Sequence, residues 1–143
     1  MENAIRDLVE EYAAAVDRRD FDSAVGLFTA DAVMIVPDMP KSLSPSLERR
    51  GHDAIREALM QVNSCLHTLH AVVTHRATVR DHDAVGRTAC LAHHVISTKS
   101  GPEDFVWAIQ YDDTFVVDDD LWKFTSRSVR VDWVESRPVR LVR

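Results

Sequence analysis

The sequence predicts an α+β fold, in which three N-terminal helices pack on a cone-shaped, curved antiparallel sheet and enclose a pocket. Three observations predict it. Apolar residues in the first segment recur with the period of a helix, residues 70–134 are rich in β-branched and aromatic residues, and short turn sequences divide that second part. Strands joined by such turns must pair antiparallel, because a parallel pair needs a long crossover. Helices followed by a β-meander are typical of the α+β class.

An amphipathic stripe predicts the first helix. Its members fall at i, i+3, i+4, i+7, i+8 and i+11 and are Ile5, Leu8, Val9, Tyr12, Ala13 and Val16. The sequence Arg18-Arg19-Asp20 breaks the pattern, and a short second helix is expected from about Asp22 to Thr29. A third helix is expected to start at residues 51–53, with Asp53 as its N-cap. Its apolar side comprises Ile55, Leu59, Val62 and Leu66.

Strands and one loop account for the other segments. Residues 32–37 (AVMIVP) are expected to form a short buried strand that ends at Pro37. Residues 37–50 contain three prolines and no periodicity, which indicates a loop, either a lid over a site or a simple surface excursion. Strands are expected at 70–80, 84–98, 104–117 and 121–134, separated by the turn sequences DHD, KSGP and DDD.

Composition excludes several classes of protein. A length of 143 residues is typical of one domain, here residues 1–143. With 17 Lys+Arg against 23 Asp+Glu, the net charge of −6 argues against binding to nucleic acid or an anionic membrane. No apolar run approaches the ~20 residues of a membrane span. The acidic first residues are not expected to be a signal peptide, and two isolated cysteines indicate a reduced, cytoplasmic chain.

Asp17 is the first candidate for chemistry. A continuing helix would place its carboxylate on the apolar stripe and near the helix C-terminus, where the helix dipole disfavours an anion. Such a charge needs a partner, unless the helix ends at Val16 and Asp17 faces solvent. His70 begins the sheet and could be that partner. A carboxylate that holds one ring nitrogen fixes the tautomer and leaves the other nitrogen as a base near neutral pH.

Further candidates lie on the later strands. One of His93 and His94 must face inward, and His94 is favoured because it shares a face with the small residues Ala84, Gly86, Thr88, Cys90 and Ala92. Those small residues indicate either room for a ligand or close packing against a helix. Arg127 is expected to share a face with Val129, Val131 and Trp133, at a buried anion or the edge of a binding site. The Tyr12 hydroxyl could point into the pocket. The histidines match no metal-binding spacing, so no metal is expected.

The segments YAAAVDRRDFDSAVGLFTADAVMIVP, GHDAIREAL and DDLWKFTSRSVRVDW resemble the SnoaL-like, or nuclear transport factor 2-like, superfamily. Within it, VDRRDFD and LHTLHAV are similar to the Asp–His branch with scytalone dehydratase and lindane dehydrochlorinase. The resemblance makes Asp17 the residue that orients a catalytic His70. It places Arg127 at an active-site arginine and His94 near a second histidine, although a one-residue gap keeps His93 as an alternative. Val16 stands where the dehydratase pattern has tyrosine, which argues against scytalone itself as substrate.

The resemblance implies a cofactor-independent, dehydratase-like lyase or isomerase acting on a small hydrophobic or polycyclic molecule. His70 would be the general base or acid, with Arg127 or His94 stabilising negative charge and Tyr12 and Trp133 contacting substrate. A polyketide cyclase would use the same groups. The alternative class is non-catalytic, a small-molecule binding module or scaffold subunit with structural histidines. The resemblance also implies a homodimer or homotrimer.

Overall fold

The computed structural model describes residues 2–142, which form three α-helices, a 3₁₀ helix and six strands. The helices are α1 (Glu2–Asp17), α2 (Phe21–Val25) and α3 (His52–Leu59), and the 3₁₀ helix covers Met60–Ser64. The strands are β1 (Phe28–Pro37), β2 (Pro45–Arg50), β3 (His67–Arg80), β4 (Asp83–Thr98), β5 (Gly101–Asp118) and β6 (Leu121–Pro138). The helices pack against one curved, unclosed sheet, so the predicted α+β class is confirmed.

The six strands lie in the order β2-β1-β6-β5-β4-β3. Strands β3 to β6 form the predicted antiparallel meander. Strand β1, however, pairs parallel with β6, with Met34 opposite Arg127. A parallel pair requires a long connection, and β2, α3 and the rest of the meander supply it. The sheet is therefore mixed, which a strictly antiparallel prediction did not include.

The second helix is shorter than predicted, because it ends at Val25 and does not continue to Thr29. The Asp20 side chain caps its start by accepting a hydrogen bond from the Ser23 N–H, and Gly26 follows its last residue. Phe28 already belongs to β1, and its ring stacks on Phe124 of β6 at a centroid distance of 4.9 Å. Phe28 and Thr29, which were predicted to end the helix, are therefore the first residues of β1, where the Phe28 ring packs in the core.

The prediction of a loop over residues 37–50 is wrong for its second half, where β2 pairs antiparallel with β1. This strand lies at the edge of the sheet, and its residues alternate between half-buried and exposed positions. An edge strand tolerates proline and charged residues, so its sequence (PSLERR) lacks the apolar alternation of the central strands.

The third helix begins at His52 and its N-cap is Gly51, so the prediction of Asp53 as N-cap is wrong. Gly51 has φ 86°, a left-handed conformation that glycine adopts without strain. Ile55 and Leu59 are buried as predicted, whereas Leu66 lies beyond the helix and is exposed. No helix within residues 2–142 is long and apolar enough to cross a membrane.

The core lies between the helices and one face of the sheet, which we call the inner face. The apolar stripe of α1 is buried there, including Ile5, Val9 and Val16. Its sheet-side members include Cys90, Ala92, Ile109, Tyr111, Phe115, Phe124, Val129 and Val131. We call the opposite face of the sheet the outer face. Side chains that alternate onto the inner face toward the end of α1 are therefore the ones that can form a site.

Phe28 tests this packing. Because the ring is fully buried between α1, β1 and β6, Phe28→Ala should lower the free energy of unfolding by about 3–5 kcal/mol. Urea denaturation with an unchanged m-value measures it. Leu121→Ala, which removes a 64% exposed side chain, is the control and should change stability by less than about 0.5 kcal/mol. Equal losses in both variants would contradict this description of the core.

Candidate active site

Asp17, the last residue of α1, lies against the first residues of β3. Its Oδ1 accepts a hydrogen bond from Nδ1 of His70 at 2.7 Å, and its Oδ2 accepts one from the His70 backbone N–H at 2.8 Å. The side chains of His70 and Asp17 are 9% and 18% exposed. Because a carboxylate only accepts, the hydrogen bond assigns the proton to Nδ1. In the neutral ring, Nε2 then carries the lone pair.

Thr68 adds a third hydrogen bond to this carboxylate, from its hydroxyl to Oδ1 at 3.0 Å. Burial raises the pKa of Asp17, but the hydrogen bonds from His70 and Thr68 outweigh burial and hold that pKa below its ordinary value. Asp17 is therefore ionised at neutral pH. An anion held beside an imidazole stabilises the protonated ring, which is what a general base needs after it takes a proton.

His94 lies on the same side of the sheet as His70, with ring centroids 6.0 Å apart. Its Nδ1 donates to the Phe105 carbonyl at 2.9 Å, and its ring packs on Trp107 at a centroid distance of 4.5 Å. Burial lowers the pKa of His94, and the neighbouring His70 lowers it further, against the opposing effect of the Phe105 carbonyl. His94 is thus neutral at neutral pH, with Nε2 unprotonated.

His93 faces the other way and forms a separate hydrogen bond, with Asp104. Its Nδ1 lies 2.7 Å from Oδ2 of Asp104, and Oδ1 of the same carboxylate accepts the backbone N–H of His94 at 3.1 Å. Asp104 is 5% exposed. The geometry therefore places His94, and not His93, beside His70. Asp104, on the outer face, therefore holds both the His93 ring and the backbone N–H of the inward-facing His94.

Arg127 lies in the core and its side chain is fully buried. Its Nε donates to Oδ1 of Asp113 at 3.0 Å, and its guanidinium carbon lies 3.5 Å from the ring centroid of Tyr111 and 4.2 Å from that of Tyr12. Nη1 and Nη2 make no hydrogen bond within the described residues. Burial raises the pKa of Asp113 to about 6 despite Arg127, so the pair is ionised above that pH.

Tyr12 belongs to this buried cluster and not to the edge of a pocket. It is 3% exposed, its ring packs edge-on against Phe28, Tyr111 and Phe124, and burial raises its pKa to about 12. Cys90 lies where the charges of both Arg127 and Asp17 act on its thiol. Burial raises the pKa of Cys90 to about 11, so the thiol is protonated and not a nucleophile.

The predicted alignment of Trp133 with Arg127 is wrong. Val131 pairs with Ile109, but Trp133 pairs with Ala108, so a bulge at Asp132 adds one residue to β6. This extra residue reverses the alternation, and Trp133 lies on the outer face with 50% of its side chain exposed. Trp133 is therefore not among the side chains around His70.

A cavity of about 480 Å³ opens at the end of the sheet where β3 begins and β4 ends. It is lined by Leu66, Ser97, Gly101, Pro102, Val139, Arg140 and Leu141, and it contains none of the predicted acid/base residues. Within residues 2–142, no three His, Cys, Asp or Glu side chains come together as metal ligands.

Sequence reasoning missed Thr68, Trp107 and Asp113. Thr68 could have been found from its spacing, because residues two apart in a strand share a face and Thr68 precedes His70 by two. Asp113 could also have been found, since two adjacent aspartates within a strand cannot both face solvent in a half-buried sheet. Trp107 carried no distinguishing pattern among the core aromatics.

The fold and the half-buried Asp–His contact define a small α+β domain in which an aspartate at the end of the first helix holds a histidine of the sheet. Residues 1–128 match the family of SnoaL-like domains, and the chain belongs to that family. None of the curated proteins compared with the chain has significant sequence similarity to it.

Solved structures with the same fold include several named as enzymes. A protein from Novosphingobium aromaticivorans DSM 12444, provisionally assigned as a scytalone dehydratase, has a TM-score of 0.80 at 25% identity and covers 97% of this chain and 89% of its own. The type 2 hexachlorocyclohexane dehydrochlorinase LinA has a TM-score of 0.82 at 16% identity, covering 99% and 93%. The type 3 LinA of Novosphingobium barchaimii LL02 has a TM-score of 0.80 at 18% identity, covering 99% and 94%.

The lowered pKa of Asp17 predicts a specific dependence of stability on pH. A depressed carboxyl pKa stabilises the fold above the unfolded value of about 3.9 and loses that contribution as pH falls through the folded value. The difference in unfolding free energy between wild type and Asp17→Asn should therefore be constant just above pH 5 and shrink below about pH 4. Denaturant titrations between pH 5.5 and 3 measure it, and a difference that grows on acidification would contradict the assignment.

Two adjacent aspartates allow a buried ion pair to be compared with an exposed one. Asp113→Asn leaves the Arg127 charge buried without a counter-ion and should lower unfolding free energy by about 3–5 kcal/mol. Asp112→Asn breaks the exposed pair with Arg87 and should cost less than about 1 kcal/mol. Both are measured at pH 8, where Asp113 is ionised. Similar losses would show that Arg127 does not depend on Asp113.

Proposed function

We propose that the chain is a cofactor-independent lyase or isomerase that uses Asp17 and His70 as an acid/base pair on a small hydrophobic substrate. The supporting observation is the contact of Asp17 Oδ1 with His70 Nδ1 at 2.7 Å, which leaves Nε2 without a hydrogen bond to any described residue. A neutral imidazole oriented by a carboxylate is an effective general base at neutral pH. Membership of the SnoaL-like family and the enzymes with the same fold agree with this proposal.

In an elimination, Nε2 of His70 takes a proton from a carbon next to an electron-withdrawing group. The C–H electrons form the new C=C bond, and the leaving group departs with its own bonding pair. The imidazolium, stabilised by Asp17, then returns its proton to the leaving group, so water or an acid such as HCl is released. In an isomerisation, the proton returns to a different carbon of the substrate. Neither sequence requires a redox cofactor.

His94 would orient the substrate in this scheme. Its Nδ1 is bound to the Phe105 carbonyl and its pKa is lowered, so its Nε2 can accept a hydrogen bond from a substrate hydroxyl. The Trp107 ring beside it offers an apolar surface. A hydrophobic substrate with one hydroxyl near the reacting carbon suits these groups. Arg127, which is fully buried, would contribute a positive charge from within the core and not a direct contact.

His70→Ala tests the proposal. With β-hydroxy ketones and hexachlorocyclohexane as probes, and products followed by mass spectrometry and chloride release, loss of the base should lower kcat about 10²–10⁴-fold. His67→Ala is the matched control, because His67 is an exposed residue of the same strand that alternates to the outer face. It should retain turnover.

Two results would contradict the proposal. Turnover by His70→Ala at the wild-type rate would exclude His70 as the base. Binding of a hydrophobic ligand with equal affinity in wild type and His70→Ala, without conversion in either, would instead favour a non-catalytic binding module.

A further inference from the structure

Arg19 adopts a backbone conformation that normally belongs to glycine. Its φ is 64°, and it occupies the position where the chain leaves α1 in the left-handed region. The Asp20 N–H donates to the Ala15 carbonyl at 2.9 Å, and the Arg19 N–H donates to the Val16 carbonyl at 3.1 Å. These two bonds form a Schellman motif, in which glycine is the favoured residue at the position of Arg19. Arginine is strained there, so contacts made by its side chain are needed to offset the cost.

The side chain turns back to the helix end and to β3. Nη1 of Arg19 donates to the Val16 and Asp17 carbonyls, both at 3.3 Å, and to the Thr68 hydroxyl oxygen at 2.7 Å. The shortest of these contacts is the one to Thr68. The same hydroxyl oxygen lies 3.0 Å from Oδ1 of Asp17. Arg19, Thr68 and Asp17 therefore form a continuous chain of cation, hydroxyl and carboxylate.

The protons in these hydrogen bonds from Arg19 to Thr68 to Asp17 have only one possible arrangement. A guanidinium has no acceptor, so Arg19 must donate to Thr68. A hydroxyl has one proton, and a carboxylate can only accept, so the Thr68 proton points to Asp17. The chain thus fixes the third hydrogen bond of the Asp17 carboxylate. The other two come from the ring and backbone of His70.

We propose that Arg19 is a positioning residue, which acts through the Thr68 hydroxyl to hold the Asp17 carboxylate in the orientation that presents His70. This inference rests on the proposed function of the Asp17–His70 pair. Among the described residues, the titratable groups that contact Asp17 are His70 on β3 and Arg19, whose guanidinium donates to the Asp17 carbonyl, and the charge of Asp17 also acts on the Cys90 thiol on β4. Arg18 is not one of them, because its side chain pairs with Glu11 and Asp20.

The test uses variants of the full chain that separate the contact from folding. Arg19→Gly removes the side chain but suits the left-handed conformation, so its Tm should equal or exceed that of wild type. Thr68→Val removes only the hydroxyl and keeps a β-branched residue in a strand. Arg18→Gln is the matched control. It removes a positive charge at the neighbouring residue, where the arginine side chain is exposed and pairs with Glu11.

Two measurements are made on each variant. Carboxyl ¹³C NMR follows the titration of Asp17 without any substrate, and the pKa of Asp17 should rise toward its ordinary value in Arg19→Gly and Thr68→Val but not in Arg18→Gln. Turnover of whichever probe the wild type converts should fall roughly 10-fold in the same two variants. This is the lower end of the contribution made by residues that hydrogen-bond to a functional side chain without touching the substrate.

An unchanged Asp17 titration in Arg19→Gly would overturn the proposal. So would a change in Arg19→Gly that Thr68→Val does not reproduce, because the effect would then not pass through the hydroxyl. Changed titration with undiminished turnover would overturn the positioning role. If the wild type converts no probe, the proposed function fails, but the NMR titration still decides whether Arg19 holds Asp17.

Discussion

The candidate site depends on the hydrogen bonds that the Asp17 carboxylate accepts from β3. This carboxylate lies at the C-terminal end of α1, where the helix dipole disfavours a negative charge. Three hydrogen bonds from β3 offset this cost, one from Thr68 and two from His70. Because these bonds connect the end of a helix to the start of a strand, they fix both the approach of α1 to the sheet and the direction of the His70 ring. Helix packing and site geometry therefore have the same cause.

A fully buried ion pair lies deeper in the core and has a different consequence. Arg127 and Asp113 are both removed from water, and an isolated pair of this kind rarely adds net stability. Here the guanidinium also faces the rings of Tyr12, Tyr111 and Phe124, which attract a cation. The cluster joins α1 to β5 and β6. The charge of Arg127 also acts on the Cys90 thiol.

The sequence predicted those features that depend on regular periodicity. The pairing of Asp17 with His70 could be predicted, because helical periodicity placed Asp17 on the apolar stripe and His70 began the predicted sheet. His94 could be chosen over His93 because of the small residues on its face, and His94 does lie beside His70. Trp133 could not be placed, because one inserted residue at a bulge reverses every later side chain and leaves no trace in composition. The edge strand β2 was missed for a related reason, since an edge needs no apolar alternation.

The tautomers of the two inward-facing histidines limit the chemistry further. His70 is bound through Nδ1 to a carboxylate, and His94 through Nδ1 to a carbonyl. In the neutral form of each ring, Nε2 is therefore unprotonated, so two neutral rings would offer two bases and no acid. A reaction that needs separate acid and base groups suits this arrangement poorly. A reaction in which one imidazole removes a proton and returns that same proton suits it well, and elimination with short-lived imidazolium formation is of this kind.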